Sequence, residues 1–318
     1  MTAGPASDHD AGPVSPAKMG MRSWRRVLSR SAETVSRENL ALIAAGCAFY
    51  GLLALAPTFA ALASVYGFFA DPSDIARHLD ALEEIAPEAA YGVVRDQARA
   101  LETAGRETLG WASLGAILLA IWSSRAGVRA LMSGVGIAYR ETEGRGVLQE
   151  LVATYVMTAL FILLGALTIG AIVVAPAVIA LLPIGDSASF LAEFARWPIG
   201  MVAVVTGLGA LYRYGPARRN ARLRWVAPGA AAALLLWLAG SIALSIYLSR
   251  FGAYNETYGA LGAVVILLTW FWLSALAALT GAVLNAELEL ETGRDTTVGP
   301  PRPMGERGAY VADAVAEA

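Results

Sequence analysis

The residues of this chain best placed to do chemistry are arginines that stand beside long apolar stretches. Arg125 and Arg129 follow an uncharged stretch that begins at Thr108, and their i,i+4 spacing puts both on one face of a helix. A guanidinium so close to hydrocarbon needs water, a phosphate headgroup or a carboxylate. Snorkelling to the interface would meet that need, and so would a lipid phosphate in an inward-facing cavity. Arg213, Arg218, Arg219, Arg222 and Arg224 form a second set with no acid among them. A basic run can neutralise nucleic-acid phosphates. Beside an apolar span, though, it is expected to hold anionic lipid headgroups and set topology. The third candidate is the polar link from Arg250 to Leu261, which carries Tyr254, Asn255, Tyr258 and Gly259. Asn255-Glu256-Thr257 matches a glycosylation sequon but lies too near the membrane to serve well as one. Asn255 or Thr257 can cap the helix that follows, the tyrosines suit a membrane interface, and Gly259 allows a neighbouring helix to come close.

Catalytic chemistry finds little to work with. Cys47 is the only cysteine, and the two histidines, His9 and His78, are far apart in the chain. No Ser/His/Asp set, phosphate-cradling glycine loop or carboxylate pair inside an apolar stretch can be drawn. Glu287 and Glu289 follow the last such stretch and are expected at a helix end exposed to water. No enzymatic activity, cofactor or metal is expected.

The elements that must position these residues are transmembrane helices. Of the 318 residues, 57% are hydrophobic and 16% charged, against about 25% charged in a soluble domain. Six stretches are apolar enough to cross a bilayer, at about 40–70, 108–124, 151–182, 190–212, 226–249 and 258–286, the second and fourth being short. Pro57 predicts a kink or break in the first, and Pro228 with Gly229 a hinge at the start of the fifth. Eighteen of the 24 Lys and Arg residues fall on one side of this arrangement and five on the other, which predicts that both termini face the cytoplasm. The expectation is an all-α integral membrane protein, a six-transmembrane-helix bundle over 39–290 that follows a basic segment at 21–38. Residues 71–107 read as two short amphipathic helices covering the outer face, where envelope proteins could dock. The ends, 1–20 and 291–318, read as disordered tails.

Several short motifs stand in this frame: Ala48-Phe49-Tyr50 with Pro57, Arg125-Ala126-Gly127-Val128-Arg129 with Met132, and Tyr212-Arg213-Tyr214-Gly215-Pro216. Further on come Pro228-Gly229, Trp237, Tyr247, Tyr254-Asn255-Glu256-Thr257-Tyr258-Gly259, Trp270, Gly281-Ala282 and Asn285-Ala286-Glu287. In these the chain resembles the YihY/BrkB family of six-span bacterial inner-membrane proteins, once mislabelled ribonuclease BN, from about Glu38 to Leu290. It departs from the family at Gly136, where Asn is common, and at Val283, where an acid is common. The resemblance implies an envelope-associated transporter or flippase-like protein whose partners are membrane lipids. On that reading Arg125 or Arg129 contacts an anionic headgroup, and Tyr254, Asn255 and Tyr258 shape or gate the outer end. A scaffold that organises envelope proteins through 71–107 is the alternative. The residues argue against a ribonuclease.

Overall fold

The computed structural model describes residues 15–69, 106–142, 144–169, 186–250 and 253–315. Helix α1 (Met21–Arg37) is amphipathic, burying Val27, Ser31 and Thr34 at i,i+4,i+7. It stops at Asn39, which takes the left-handed backbone conformation with φ 50°, one that Asn tolerates better than most residues. The chain bends there by 63° into α2 (Leu40–Phe69). The bend therefore lies at Asn39, and no break is found at Pro57, where α2 continues as one helix. A proline in a membrane helix removes one N–H donor, and local adjustment can satisfy the freed carbonyl.

The remaining helices are α3 (Arg106–Ala138), α4 (Val147–Ile169), α5 (Asp186–Tyr214), α6 (Leu223–Arg250), α7 (Ala253–Thr292) and the single turn α8 (Tyr310–Asp313). By length and composition α4, α6 and most of α7 can each cross a bilayer, and the bent pair α1–α2 makes a fourth candidate. Helices also cover the expected second and fourth spans, as α3 and α5. Trp111, Leu118, Trp122, Val156, Leu163 and Leu235 all lie exposed on the outside of these helices. A soluble monomer rarely carries apolar patches of that extent, whereas side chains facing lipid have no reason to be polar. Of the expected cover at 71–107 all but the last two residues, of the third span residues 170–182, and of the tail at 1–20 residues 1–14 lie outside the described residues. The rest of that tail is ordered, with a 3-10 turn at Pro16–Lys18 and Met19 buried.

Close packing is concentrated at the end of the bundle where most arginines lie. There α2 packs on α3, and α7 packs on α6, α2 and α1. Leu40, Val135, Tyr139, Tyr212, Leu279 and Val283 form a buried core. The α6–α7 contact rests on facing glycines. A Cβ on Gly229 would run into the Gly281 carbonyl and the Asn285 side chain, and one on Gly281 would run into the Gly229 carbonyl and the Tyr212 hydroxyl. Buried Asn285 joins the same seam. Its Oδ1 accepts from the Gly229 N–H at 2.7 Å and its Nδ2 donates to the Val226 carbonyl at 3.0 Å. Pro228 and Gly229 thus belong to a tight seam near the start of α6, where a hinge was expected.

The expectation of a disordered tail at 291–318 is overturned over 293–315. Asp295 accepts from the N–H groups of Thr297 and Arg302, and Thr297, Ala309, Val311 and Ala312 are buried. The prolines there block helix, but main-chain pairing and buried side chains fix an irregular course instead.

Replacing Asn285 with Ala removes two buried hydrogen bonds to the α6 backbone, each worth about 0.5–1.5 kcal/mol. The expected result is a clearly lower unfolding midpoint for Asn285→Ala in detergent, followed by size-exclusion chromatography after heating.

Candidate functional site

The last turns of α7 carry Glu287, Glu289 and Glu291. At 100° per residue, the first and third share one face and the second points the opposite way. Three carboxylates at a helix C-terminus oppose the macrodipole, whose negative end lies there. Arginines from other elements offset this. Glu287, 1% exposed, accepts from Arg30 Nε of α1 at 2.9 Å and from Arg140 Nη2, just after α3, at 2.8 Å. Thr34 Oγ1 adds a hydrogen bond at 3.2 Å. Glu291 accepts from Arg26 and Arg30 at 2.7 Å each. On the opposite face Glu289 is gripped at both oxygens by Arg218 of the α5–α6 link, at 2.8 and 3.0 Å, and neither side chain is exposed. Thr296 donates to the same carboxylate, and the Arg218 guanidinium lies over the Tyr139 ring, 4.1 Å from its centroid. Burial opposes the charge on Arg218, but Glu289 outweighs it and the guanidinium is held charged.

Arg140 is aimed by an unusual backbone. Helix α3 ends in a Schellman arrangement, with the Glu141 N–H on the Gly136 carbonyl and the Arg140 N–H on the Ile137 carbonyl. The position that glycine usually fills there is Arg140, at φ 55°. The cost of that conformation, about 1–2 kcal/mol, is set against the ion pair with Glu287.

Glu287 and Glu289 are therefore buried and paired, where exposure to water was expected. The same contacts remove Arg218 from the headgroup-facing set. Arg222 is also engaged, through Nε to the Thr297 carbonyl at 2.9 Å, and Arg219 Nη2 reaches the Pro300 carbonyl at 3.4 Å. Arg213 is half-buried over the Tyr214 ring, and Arg224 is exposed. Arg125 and Arg129 share one helical face as expected, and both reach α4. Arg125 Nε donates to Thr154 Oγ1 at 3.0 Å and its guanidinium lies over Tyr155, while Arg129 Nε pairs with Glu150. Tyr254, Asn255, Tyr258 and Gly259 fall within the first turns of α7, where a loop was expected, since the helix begins at Ala253. Glu256 suits that position, because acids favour a helix N-terminus. The side chains of 253–261 lie outside the described residues.

Deeper in the bundle is a cavity of about 490 Å³ to which every helix from α2 to α7 contributes, among them Gly51, Gly127, Phe161, Leu208, Trp237 and Trp270. The two indoles sit edge to face, with centroids 6.1 Å apart. Their N–H groups are already committed, Trp237 to Ser274 Oγ at 3.0 Å and Trp270 to Ser241 Oγ at 3.2 Å. The wall is therefore almost wholly apolar. The charge pattern gave no sign of this cavity. One usable signal was present, a Trp followed four residues later by Ser on two successive helices, at 237/241 and 270/274.

Long apolar helices with lipid-facing flanks, closed at one end by buried ion pairs, define a polytopic helical membrane protein. The family model described as Virulence factor BrkB matches residues 31–304, and the chain belongs to that family. A ribonuclease-like protein, YfkH, of Bacillus subtilis (strain 168) is 29% identical over 245 residues, 76% of this chain and 87% of that relative. The UPF0761 membrane protein IL2447 of Idiomarina loihiensis is 35% identical over 97 residues, 30% of this chain and 34% of its own. A UPF0761 membrane protein of Xanthomonas oryzae pv. oryzae is 38% identical over 100 residues, 31% of this chain and 23% of its own. The chain thus spans about a third or less of these two UPF0761 relatives. No solved structure matches it.

Breaking a buried pair by removing one partner costs about 3–5 kcal/mol, whereas replacing both with apolar residues can be neutral. Arg218→Met and Glu289→Leu are each expected to lower the unfolding midpoint sharply, and the double variant to recover most of the loss. Additive losses in that cycle would mean that the two side chains act separately.

Proposed function

We propose that this protein binds and moves a lipid or similarly amphipathic molecule in the bacterial inner membrane. It does so through six spans, with both termini in the cytoplasm and without nucleotide hydrolysis of its own. The observation that carries the reading is the cavity. Its volume lies within the range of about 300–1,000 Å³ usual for small-molecule sites. All six helices from α2 to α7 line it, as a central substrate site requires, and they coincide with the six apolar stretches of the sequence. The walls offer hydrocarbon contact and no free indole N–H, so the part of a guest held there is apolar. Arg125 follows the cavity-lining Ser124 directly in α3. On this reading Arg125, now bonded to Thr154 and stacked on Tyr155, turns to an anionic headgroup when a guest is bound, while Arg129 stays held by Glu150. Tyr254, Asn255, Tyr258 and Gly259 then shape the opposite end.

The ribonuclease-like name of the Bacillus subtilis relative is not extended to this chain. Its buried carboxylates Glu287 and Glu289 are already engaged by arginines, which leaves neither as a base or a metal ligand.

Proteoliposomes test the proposal. Purified protein is expected to accelerate the transbilayer movement of fluorescent phospholipids above that of empty vesicles. Gly51→Leu fills the cavity. A Cβ at Gly51 meets the Phe271 ring at an ordinary 3.6 Å, so the first carbon fits and the rest of the side chain competes with Phe271 for the cavity. Its rate is expected to fall about tenfold, the effect of about 1.4 kcal/mol, with little change in unfolding midpoint. Rates equal to those of empty vesicles across neutral and anionic lipids would refute the proposal.

A further inference from the structure

The segment after α7 has no part in forming the cavity, yet it ties together the ends of several helices. Around Ala221 and Thr297 it pairs antiparallel with the α5–α6 link, through Arg222 N–H on the Thr296 carbonyl and Val298 N–H on the Asn220 carbonyl, each at 2.9 Å. Further along, Arg219 N–H donates to the Gly308 carbonyl at 2.8 Å, and Tyr310 N–H donates to Glu141 Oε1 of the α3–α4 link at 2.8 Å. Thr296 reaches the buried carboxylate of Glu289. The segment is also braced from within. Arg307 Nη1 donates to the carbonyls of Gly293 and Ala312, and Asp313 accepts from the N–H groups of Gly305, Arg307 and Gly308.

Two groups of contacts close this end of the bundle, and they are separable. Arg26, Arg30 and Arg140, which hold Glu287 and Glu291, all stand outside residues 293–315. The α5–α6 link, in contrast, is held by Arg145 on the carbonyls of Tyr214, Gly215 and Pro216, by the Arg218–Glu289 pair, and by the strap. Removing the strap uncovers Arg218 and Glu289 and leaves the α1–α7 pairs whole. The segment buries Thr296, Thr297, Val311 and Ala312, and its opening as one unit is a sub-global event that costs less than unfolding the whole bundle.

We propose that residues 293–315 form a latch over the arginine-rich end of the bundle, and that its release opens an aqueous path from that end to the cavity. The latch rests on the reading of the cavity as a substrate site. In the closed state the core layer of Val135, Tyr212, Leu279 and Ala282 separates the cavity from the ion pairs. For the ends of α5 and α6 to part from α7, the strap and the link it holds must move, and the Tyr212–Ala278 and Asn285–Gly229 hydrogen bonds must break.

Cys47, the only cysteine, lines the cavity and is buried, so its reaction with a water-soluble maleimide in nanodiscs reports the path. Arg307→Ala and Asp313→Ala are each expected to raise the labelling rate about tenfold, the effect of losing about 1.4 kcal/mol of docking, with Cys47→Ala unlabelled. Unchanged labelling in variants whose strap has become cleavable by endoproteinase Glu-C at Glu306 would overturn the latch. Should those variants fail to fold, Ala221→Cys with Thr297→Cys in a Cys47→Ser background crosslinks the strap shut. The pair lies opposite without exchanging hydrogen bonds, at the narrow spacing of about 4.5 Å between Cα atoms that a disulfide can span. Oxidation is expected to stop lipid movement and reductant to restore it. Equal movement in both states overturns the latch and leaves the cavity reading standing. Faster labelling on strap release with no lipid movement in any state overturns the cavity reading and leaves the latch.

Discussion

Three carboxylates at the negative end of the helix dipole would destabilise α7 unless cations met them, and that requirement organises one whole end of the molecule. The partners of Glu287, Glu289 and Glu291 come from α1, from the residue after α3 and from the α5–α6 link. Each of those elements is placed by the need to deliver its arginine. Buried ion pairs add little net stability, because desolvation offsets the attraction between the charges. Their contribution here is to specificity: any other arrangement of these helices leaves a charge in the core without a partner. The left-handed Arg140 fits the same account, since the backbone accepts local strain where a guanidinium must reach Glu287.

Beyond this end the bundle changes character. Packing between α6 and α7 depends on the absence of side chains at Gly229 and Gly281. Farther along, the bulky Trp237, Trp270 and Phe271 and the small Gly51 and Gly127 leave a space unfilled. The space of about 490 Å³ is partly open at the surface of the described helices, unlike the few water-sized voids of a packed interior. The described helices thus combine a closed, polar end with a loosely filled, apolar middle.

Much of this was legible in the residues, because hydrocarbon imposes simple rules. Long uncharged stretches became helices at the expected places, and the Tyr254–Gly259 motif and its companions pointed to the right family. What could not be read was pairing across distance. Arg218 and Glu289 are 71 positions apart, and Arg30 and Glu287 are 257 apart. A rule that looks only at neighbouring residues sends each of them to water or lipid. The tail misled for a related reason. Its prolines and glycines argue correctly against helix, but irregular chain can still be ordered when the N–H groups and carbonyls of another segment are there to meet it, as at Asn220 and Arg222. Of the kink or break expected at Pro57, the break is absent, because one missing donor does not end a helix.

The position of the carboxylates in the chain has a consequence for biogenesis. Chains are made from the N-terminus, so Arg26, Arg30, Arg140 and Arg218 are all synthesised before Glu287, Glu289 and Glu291 exist. Until α7 is inserted, lipid phosphates and water are the partners at hand for these arginines, and in that interval they can fix the orientation of each helix, as basic flanks do. They exchange those partners for carboxylates when the last helix arrives. The same guanidinium then serves twice, first as a marker of sidedness and later as a structural cation, and α7 commits the earlier helices to their final packing.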